Sequence, residues 1–504
     1  MASSPGPRTG TPPPADGLAR FRACRVAAQV DLGEKAKTPP LRGAGAVNGR
    51  IDVLLVGGPR KTRGTGEEVG ENLGLGYLAA VLREQGVSVE ILDAGLEGLN
   101  VTGLVRAIRA RSFRVLGFSV VVQAMLRPTL ATLAAIGERR DYLTVMGGHG
   151  PTFSCRSILR DVPALDVVVR GEGEETFPDL VFRVLGGQSW HDRPGLAYRA
   201  DGGVVVNPPR PLVSDLDRLP HPARDKLTSS LQRGTMARLM SSRGCHGTCA
   251  FCSIRAFYGG SPGHAWRGRS PEDVAAEIEE LAGRWGIRHF RFSDDNFIGP
   301  GGAGRRRAAA IADAIAALGH DLEFTVACRP DDVDHELFAQ LKAAGLHTVF
   351  LGVESGSQRI LDTLNKRVTV ERNREAVRTL RALGLRPGLG FIMFTPDTRL
   401  EDLPANFEFL REMGISWRNT GDMLDILNRL EVYEGTPMAE RLRREGRLRG
   451  DYQGFAYRMP PEVETIYRLL KGCQDAAMAA RRLGRAMGLT RAPAAPAPAR
   501  HPPS

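Results

Sequence analysis

Apolar runs alternate with helical patterns along the first half of the chain. Residues 51–56 form an apolar run that ends at Gly57 and Gly58, and apolar residues then recur at helical spacing at positions 75, 78, 79 and 82. Further apolar runs lie at 87–92, 115–122, 143–146 and 167–169. These strand–helix units predict a doubly wound parallel sheet, an α/β fold whose ligand lies beyond the carboxyl ends of the strands.

Glycine-rich loops follow the predicted strands. They span residues 57–66, 119–124, 147–150 and 171–175. Glycine lets a large ligand approach the backbone closely, so this edge of the sheet is the expected binding site. A nicotinamide dinucleotide would need G-x-G-x-x-G at the start of the first helix, and residues 57–59 read Gly-Gly-Pro instead, although Asp93 fits the acidic position after the second strand.

The second half of the chain repeats a strand–helix pattern from residue 236. Its predicted strands are 236–240, 289–292, 324–328, 348–353 and 389–394. Strands that alternate with helices in this way predict a partial, open parallel barrel, in which catalytic groups lie at the carboxyl ends of the strands. The polar residues at those ends are Cys245, Cys249, Cys252, Asp294, Asp295, Arg329 and Glu354.

Three cysteines follow the first of these strands at a C-x3-C-x2-C spacing, at Cys245, Cys249 and Cys252. A cubane iron–sulfur cluster normally takes four thiolates, so three would leave one iron open for chemistry. The alternative is a structural zinc site, which needs a closed tetrahedron and a fourth ligand such as His246 or His264.

The cysteine loop, with Phe251 just before its third thiol, resembles the cluster loop of the radical S-adenosylmethionine (radical SAM) enzymes. The resemblance implies that the open iron of a [4Fe–4S] cluster binds S-adenosylmethionine, whose reductive cleavage releases a 5'-deoxyadenosyl radical. It also implies cofactor contacts from Phe251 and Asp294, a carboxylate contact from Arg329, and an amine or ribose contact from Glu354. Considered without the resemblance, Arg329 and Glu354 could instead form a structural ion pair, and Asp294 could instead cap a helix.

Three segments of the first half, Leu73–Ala80, Met146–His149 and Arg170–Glu174, resemble the cobalamin-binding domain that precedes the radical SAM domain in one large enzyme class. The resemblance implies a Rossmann-like doubly wound cobalamin-binding domain followed by a partial (β/α)6 TIM-type radical SAM barrel. The cobalamin contacts that it implies are Ser119, Gly147, Gly148, His149, Gly171, Glu172 and Gly173. The D-x-H-x-x-G motif is absent from the sequence, so we expect no histidine ligand on the lower face of cobalt. The role of His149 stays open between a contact to the cobalamin tail and a surface histidine.

The expected domain organisation has five parts. Residues 1–49 form a disordered leader, 50–200 the cobalamin-binding domain, 201–235 a linker, 236–455 the radical SAM barrel, and 456–504 a C-terminal helix with a disordered tail. The leader and the tail are rich in Pro and Ala, a composition that favours disorder. The linker begins with Asp201-Gly202, which predicts a hairpin turn, and carries prolines that resist helix formation.

Charge along the chain argues against a nucleic-acid partner. The formal net charge is +11, but residues 1–50 and residues 456–504 each carry +5, so the part between them is close to neutral. A basic groove for phosphates is therefore not indicated.

The remaining cysteines and the hydropathy pattern indicate a soluble protein of the reducing cytoplasm. The other four of the seven cysteines are scattered, at Cys24, Cys155, Cys328 and Cys473, so neither a disulfide framework nor a second cysteine-bound cluster is expected. No apolar run is long enough to span a bilayer, and no signal-peptide core follows the first charged residues.

The function that the resemblance implies is methylation of an unactivated carbon in a small-molecule or peptide substrate. One S-adenosylmethionine would supply the methyl group through cobalamin and a second would supply the radical, with electrons from an external carrier of the flavodoxin or ferredoxin type. The alternatives are a cobalamin-assisted rearrangement, cyclisation or oxidation, and a non-catalytic cobalamin and redox sensor. No catalytic side chain is assigned, and Tyr433 is open between a residue that approaches the substrate and a packed tyrosine, which is the favoured interpretation.

Overall fold

The computed structural model describes residues 49–59, 70–138, 141–415 and 426–486. The expected leader up to residue 48, the part of the glycine-rich loop at 60–66, and the expected tail from residue 487 lie outside the described residues.

A seven-stranded sheet forms the first half of the fold. Its strands are β1 (Ile51–Gly57), β2 (Val89–Asp93), β3 (Phe113–Ser119), β4 (Leu143–Gly147), β5 (Val167–Val169), β6 (Leu196–Ala200) and β7 (Gly203–Val206). They lie in the order β2-β1-β3-β4-β5-β6-β7. The first five are parallel, and β6 and β7 extend the edge in antiparallel fashion. This order confirms the predicted doubly wound sheet, which places ligands at its carboxyl edge.

Helices cover both faces of this sheet. They are α1 (Leu73–Glu84), α2 (Ala94–Glu97), α3 (Val101–Arg109), α4 (Leu126–Ile136), α5 (His149–Asp161) and α6 (Gly173–Leu185). Leu75, Leu82 and Phe177 pack on one face of the sheet, and Leu104 and Leu126 pack on the other. Because both faces are buried, the central strands are continuous apolar runs rather than alternating ones.

The linker begins later than expected. Ala200 pairs with Gly203, so Asp201 and Gly202 form the predicted two-residue turn. The sheet therefore continues to Val206, past the expected boundary at residue 200, because β7 pairs with β6. A short helix, α7 (Leu227–Gln232), then leads into the second sheet.

A five-stranded parallel sheet forms the second half, in the order β14-β13-β12-β11-β8. Its strands, with the intervening ribbon of β9 and β10, are β8 (Ala237–Leu239), β9 (Ser242–Arg243), β10 (Arg267–Gly268), β11 (His289–Phe292), β12 (Glu323–Cys328), β13 (Leu346–Glu354) and β14 (Arg386–Phe391). A parallel bridge between Phe394 and Arg429 stands at the sixth strand position. The partial barrel is thus confirmed, with its sixth strand reduced to a bridge.

The last predicted strand is displaced. The pattern placed it at 389–394, and the structure has β14 at Arg386–Phe391. Phe394 instead accepts a hydrogen bond from the backbone N–H of Leu430 and donates one to Asn428. The end of the apolar run therefore leaves β13 and pairs with the next segment of the chain.

Helices surround the second sheet. They are α8 (Ser253–Gly259), α9 (Pro271–Trp285), α10 (Gly301–Ala317), α11 (His335–Ala343), α12 (Gln358–Thr363), α13 (Val370–Ala382), α14 (Asp402–Glu412) and α15 (Pro437–Arg444). The alternation along β13 separates the two faces of the sheet. Val349, Leu351 and Val353 are buried towards the helices, while Phe350 is 47% exposed on the inner face. The inner face is therefore open, as a barrel that holds a ligand requires.

The C-terminal part of the chain returns to the first half. The hairpin of β15 (Leu448–Asp451) and β16 (Gly454–Tyr457) precedes α16 (Pro461–Ala486). Tyr452, in the hairpin turn, is buried in the core of the first sheet, and its carbonyl accepts a 2.6 Å hydrogen bond from Gln123 Nε2. The expected boundary at residue 455 thus falls inside this hairpin. Within the described ranges, no helix is both long and apolar enough to cross a membrane.

Candidate functional site

The loop that carries Cys245, Cys249 and Cys252 is shaped by glycine. Gly244 has φ +85°, and a Cβ at this position would collide with the carbonyl oxygen of Ala265. The backbone N–H of Gly247 then lies 3.3 Å from Cys245 Sγ. Cys249 is buried and the other two thiols are half-buried. Only glycine allows this left-handed, crowded turn, which brings three sulfurs onto one short loop.

Hydrogen bonds hold the cysteine loop against the barrel. Ala250 donates its N–H to Leu364 O at 2.8 Å and accepts one from Met438 at 3.0 Å. Asn365 Nδ2 donates to Thr248 O at 2.7 Å. Phe251 is half-buried against the hydrophobic core of the barrel. The loop is therefore held by segments from the far side of the second sheet.

Burial keeps two of the three thiols protonated. It raises the pKa of Cys245 and raises the pKa of Cys252 to about 12. A thiolate is the form that binds metal, so iron must displace these protons when it enters the site.

The donor set suits a cluster better than a single ion. A cubane is larger than one ion and holds its thiolates farther apart. The ring of His246, a possible fourth zinc ligand, has Nε2 at 3.2 Å from Asp332 Oδ1. Three thiols on one loop, with the histidine engaged elsewhere, fit an iron–sulfur cluster.

Arg329, at the end of β12, lies directly beside this loop. Its Nη1 is 3.7 Å from Cys249 Sγ. Its Nε and Nη2 donate to the two carboxylate oxygens of Asp331 at 2.9 and 3.1 Å, and Nη2 also donates to Lys366 O at 2.7 Å. The guanidinium expected to bind the carboxylate of S-adenosylmethionine is therefore already engaged on most of its edge.

Glu354, at the end of β13, forms an ion pair with Lys366 through only one of its two carboxylate oxygens. Lys366 Nζ is 2.9 Å from Glu354 Oε1. Glu354 has φ +67° at a register shift between β13 and β14, an unusual backbone conformation for a residue other than glycine. A Cβ at Gly352 would lie 2.8 Å from Glu354 Oε1, so glycine makes the room for this pair. Such strain accompanies functional sites more often than ordinary strand ends.

Asp294 is engaged by the segment that precedes the cysteine loop. Its oxygens accept hydrogen bonds from the N–H of Ser241 at 3.2 Å and from the hydroxyls of Ser241 and Ser242 at 2.8 and 2.5 Å, and the residue is buried. We therefore reassign Asp294 from cofactor contact to a residue that positions the segment leading to Cys245. The alternative of a helix cap does not hold either, because α10 has Pro300 at its N-cap position, with no side-chain cap.

The neighbouring Asp295 accepts a hydrogen bond from Gly244 N at 3.0 Å. The residue remains open to solvent. Asp295 is therefore an accessible carboxylate next to the cysteine loop, whereas Asp294 is buried. The tandem Asp-Asp sequence does not show which of the two is accessible.

The glycine-rich edge of the first sheet gathers most of the expected cobalamin contacts. Ser119 is the register partner of both Gly57 and Gly147, so the three residues lie side by side. Thr152 Oγ1 donates to Gly148 O at 2.8 Å and accepts from Gly171 N at 3.0 Å, which joins two of the loops. This edge presents backbone rather than side chains, as the close approach of a large ligand requires.

Three of the expected cobalamin residues make other contacts. A Cβ at Gly173 would lie only 3.1 Å from the side chain of Leu78, so glycine at this position allows α6 to pack closely against α1. The ring of His149 stacks on Phe257 of α8 with centroids 4.1 Å apart. Burial lowers the pKa of His149 to about 4, so the ring is neutral at pH 7. His149 is thus half-buried at the junction of the two domains rather than on the open surface.

Glu172 is the clearest correction. Its carboxylate lies 2.9 Å from Arg243 Nη1 and 2.8 Å from Arg267 Nη1, and it accepts a hydrogen bond from Val213 N at 2.8 Å. Glu174 also binds Arg243, at 2.7 Å. Burial alone raises the pKa of Glu172, but the two guanidinium groups outweigh it and hold that pKa below its ordinary value. We therefore reassign Glu172 from cobalamin contact to the interface between the domains.

The two arginines of this interface were not predicted from the sequence as functional residues. Arg243 lies two residues before Cys245, and Arg267 lies on the ribbon strand that pairs with it. Both are buried. Neither stands out in the sequence, because Arg243 follows two serines and Arg267 lies between Trp266 and Gly268, so nothing local marks them as buried or identifies their partner.

Comparisons with known proteins agree with this architecture. The profile of the B12 binding domain matches residues 60–181, and the profile of the radical SAM superfamily matches residues 239–410. An uncharacterized methyltransferase of Pyrococcus horikoshii is 32% identical over 351 residues, which cover 69% of this chain and 74% of that protein.

Two further proteins are similar over much of the chain. The anaerobic magnesium-protoporphyrin IX monomethyl ester cyclase of Rubrivivax gelatinosus is 28% identical over 67% of this chain and 61% of its own length. The solved structure of the cobalamin-dependent S-adenosylmethionine radical enzyme OxsB, with aqua-cobalamin and S-adenosylmethionine bound, superposes with a TM-score of 0.71 at 22% identity. That superposition covers 88% of this chain and 69% of OxsB, and it supports the fold. With both domain profiles, the shared architecture and a relative above 30% identity, the chain belongs to the cobalamin-dependent radical SAM enzymes, whose cofactors are a [4Fe–4S] cluster, S-adenosylmethionine and cobalamin.

Proposed function

We propose that this protein methylates an unactivated carbon of a small-molecule or peptide substrate. The observation that carries the proposal is the contact between the two cofactor-bearing edges. Glu172, in the loop after β5, binds Arg243, two residues before the first cysteine of the cluster loop. Methyl transfer needs both cofactors at one substrate, and this pair holds the glycine-rich edge next to the cysteine loop.

The residues of the chain have distinct tasks in this proposal. When bound, the cofactors supply the radical and the methyl group. Cys245, Cys249 and Cys252 hold the cluster, and the second carboxylate oxygen of Glu354 is available to the amine or ribose of S-adenosylmethionine. The stacked rings of His149 and Phe257, with Phe153 edge-on to Phe257, close the seam between α5 and α8 against water.

The name of the Pyrococcus relative supports methyl transfer. The magnesium-protoporphyrin cyclase supports a second candidate, in which radical chemistry forms a ring or oxidises the substrate without adding a methyl group. A non-catalytic sensor is the third candidate, and the open iron position disfavours it because a closed cluster would serve electron storage equally well.

Labelled S-adenosylmethionine separates these candidates. The holoenzyme, reconstituted without oxygen, is reduced and incubated with S-adenosylmethionine that carries a 13C-methyl group, in the presence of small molecules extracted from the source cells. Methyl transfer predicts 5'-deoxyadenosine together with a product heavier by one labelled methylene. Loss of hydrogen without label would instead support cyclisation or oxidation, and absence of 5'-deoxyadenosine would support the sensor.

The site assignment is tested by Cys249→Ala. Because the variant leaves two thiols for the cluster, we expect 5'-deoxyadenosine formation to fall to background and the iron content to drop. Cys473→Ala is the control, since Cys473 is an exposed residue on α16. Full nucleoside formation by Cys249→Ala would contradict the assignment.

We also propose that a flavodoxin- or ferredoxin-type carrier supplies the electron, because reductive cleavage of S-adenosylmethionine consumes one that the chain does not provide. Replacement of a chemical reductant by reduced flavodoxin should sustain 5'-deoxyadenosine formation. Failure with both carriers would contradict this part of the proposal.

A further inference from the structure

The buried guanidinium of Arg329 is directed at a cluster ligand. Its Nη1 is 3.7 Å from Cys249 Sγ, within hydrogen-bond range for sulfur, and both residues are buried. A Cβ at Gly247 would lie 2.7 Å from the same nitrogen, so the glycine of the cysteine loop makes the room for the guanidinium.

The orientation of Arg329 is fixed from its other side. Arg329 Nε and Nη2 donate bidentate hydrogen bonds to the carboxylate of Asp331, and Nη2 also donates to the backbone carbonyl of Lys366. The edge of the guanidinium that can bind a carboxylate bidentately is therefore already occupied by a carboxylate of the protein itself. The edge left for another partner is Nη1, which faces the sulfur.

We propose that Arg329 is a positioning residue that donates a hydrogen bond to Cys249 and raises the reduction potential of the cluster, in place of binding the carboxylate of S-adenosylmethionine. The inference rests on the assignment of Cys249 as a cluster ligand. Reduction adds one negative charge to the cluster, and an N–H donor with a positive charge beside a ligand sulfur stabilises the reduced form more than the oxidised form.

Asp331 allows a second variant whose effect on the reduction potential should be opposite to that of an Arg329 variant. Its carboxylate partly neutralises the guanidinium and is 37% exposed, so it can be changed without opening the core. Removal of the cation should make the cluster harder to reduce. Removal of the anion should make it easier to reduce.

The experiment compares Arg329→Gln and Asp331→Asn with the unmodified protein. Each is reconstituted with iron and sulfide, its iron and sulfide contents are measured, and the cluster is titrated by electron paramagnetic resonance at fixed potentials without S-adenosylmethionine. We expect the ratio of reduced to oxidised cluster at a given potential to fall about tenfold in Arg329→Gln, which is about 59 mV for a one-electron couple. The ratio should rise in Asp331→Asn. Arg305→Gln, in an exposed ion pair between α10 and Asp334, the residue before α11, should leave the ratio unchanged.

Each outcome decides something. Equal potentials in all variants would overturn the inference, and so would a shift of the same sign in Arg329→Gln and Asp331→Asn. If Arg329→Gln retained no cluster, the sign of the Asp331→Asn shift alone would decide. A loss of S-adenosylmethionine binding of about a hundredfold with an unchanged potential would return Arg329 to the carboxylate role. Failure of the unmodified protein to take up iron and sulfide would instead count against the proposed function.

Discussion

At the scale of single residues, burial sets the protonation states around the site. Cys252 has a pKa of about 12 and His149 of about 4, each displaced chiefly by the loss of water around the charged form. The direction differs because burial disfavours the anion of an acid and the cation of a base. Cys245, Cys252 and the imidazole of His149 are therefore neutral until metal enters.

His149 predicts a pH dependence of stability. Its pKa falls from 6.5 to about 4 on folding, so the unfolded chain binds the proton more readily and stability is lost as pH falls from about 6.5 to about 4. The loss attributable to His149 is up to about 3 kcal/mol. His149→Phe keeps a ring against Phe257 and removes the titration, so urea unfolding between these pH values should become less pH-dependent. His320→Phe, at an exposed pair with Glu279, is the control, and an unchanged profile in His149→Phe would contradict the prediction.

At the scale of elements, the cysteine loop depends on one turn between β9 and the first thiol. Gly244 accepts the positive φ and the close approach of Ala265 that no other residue tolerates. Asp295, at the end of β11, fixes the same residue through its backbone N–H. The loop is thus shaped by its own glycine and held by a neighbouring strand.

Gly244→Ala should impair cluster assembly. The substitution costs about 1–3 kcal/mol in backbone strain alone. We therefore expect a lower iron content after reconstitution, measured per mole of folded protein. Gly259→Ala, at the end of α8, is the matched control because a Cβ there meets nothing within 4 Å. Equal iron contents in the two variants would show that the turn is not required.

At the scale of the whole molecule, two buried charge networks join the domains. One consists of Glu172 and Glu174 with Arg243 and Arg267. In the other, Arg224 of the linker binds Glu71, just before α1, and Glu277 of α9. Buried ion pairs give little net stability over apolar packing, but breaking one leaves an unpaired charge. They therefore favour one relative placement of the two cofactor edges.

Glu172→Gln should destabilise the protein by about 3–5 kcal/mol, because it leaves the positive charges of Arg243 and Arg267 with Glu174 alone. Denaturant unfolding with tryptophan fluorescence measures the loss. Glu371→Gln, at an exposed ion pair with Arg378, should change stability by less than about 1 kcal/mol. A similarly small effect at Glu172 would mean that the interface does not depend on this carboxylate.

Local sequence determined the elements and the chemistry of the cysteine loop. Apolar runs separated by helical patterns predicted both sheets, since each strand and its following helix are specified within a few tens of residues. The three thiols and their glycines are contiguous in the chain, so their geometry could be anticipated. The last predicted strand was misplaced, and the expected boundaries at residues 200 and 455 each lie inside a hairpin. Pairing of β7 with β6, the return of the C-terminal hairpin to the first sheet and the bridge at Phe394 all depend on partners elsewhere in the chain.

Only the tertiary structure decided what the buried charges do. Glu172 and Arg243 are 71 residues apart in the chain, and Arg329 and Cys249 are 80 apart. A buried charge requires a partner, but the requirement does not say which residue provides it. For this reason the sequence identified Glu172, Asp294 and Arg329 as important positions, and their contacts place the first at the domain interface, the second beside Ser241 and Ser242, and the third next to Cys249.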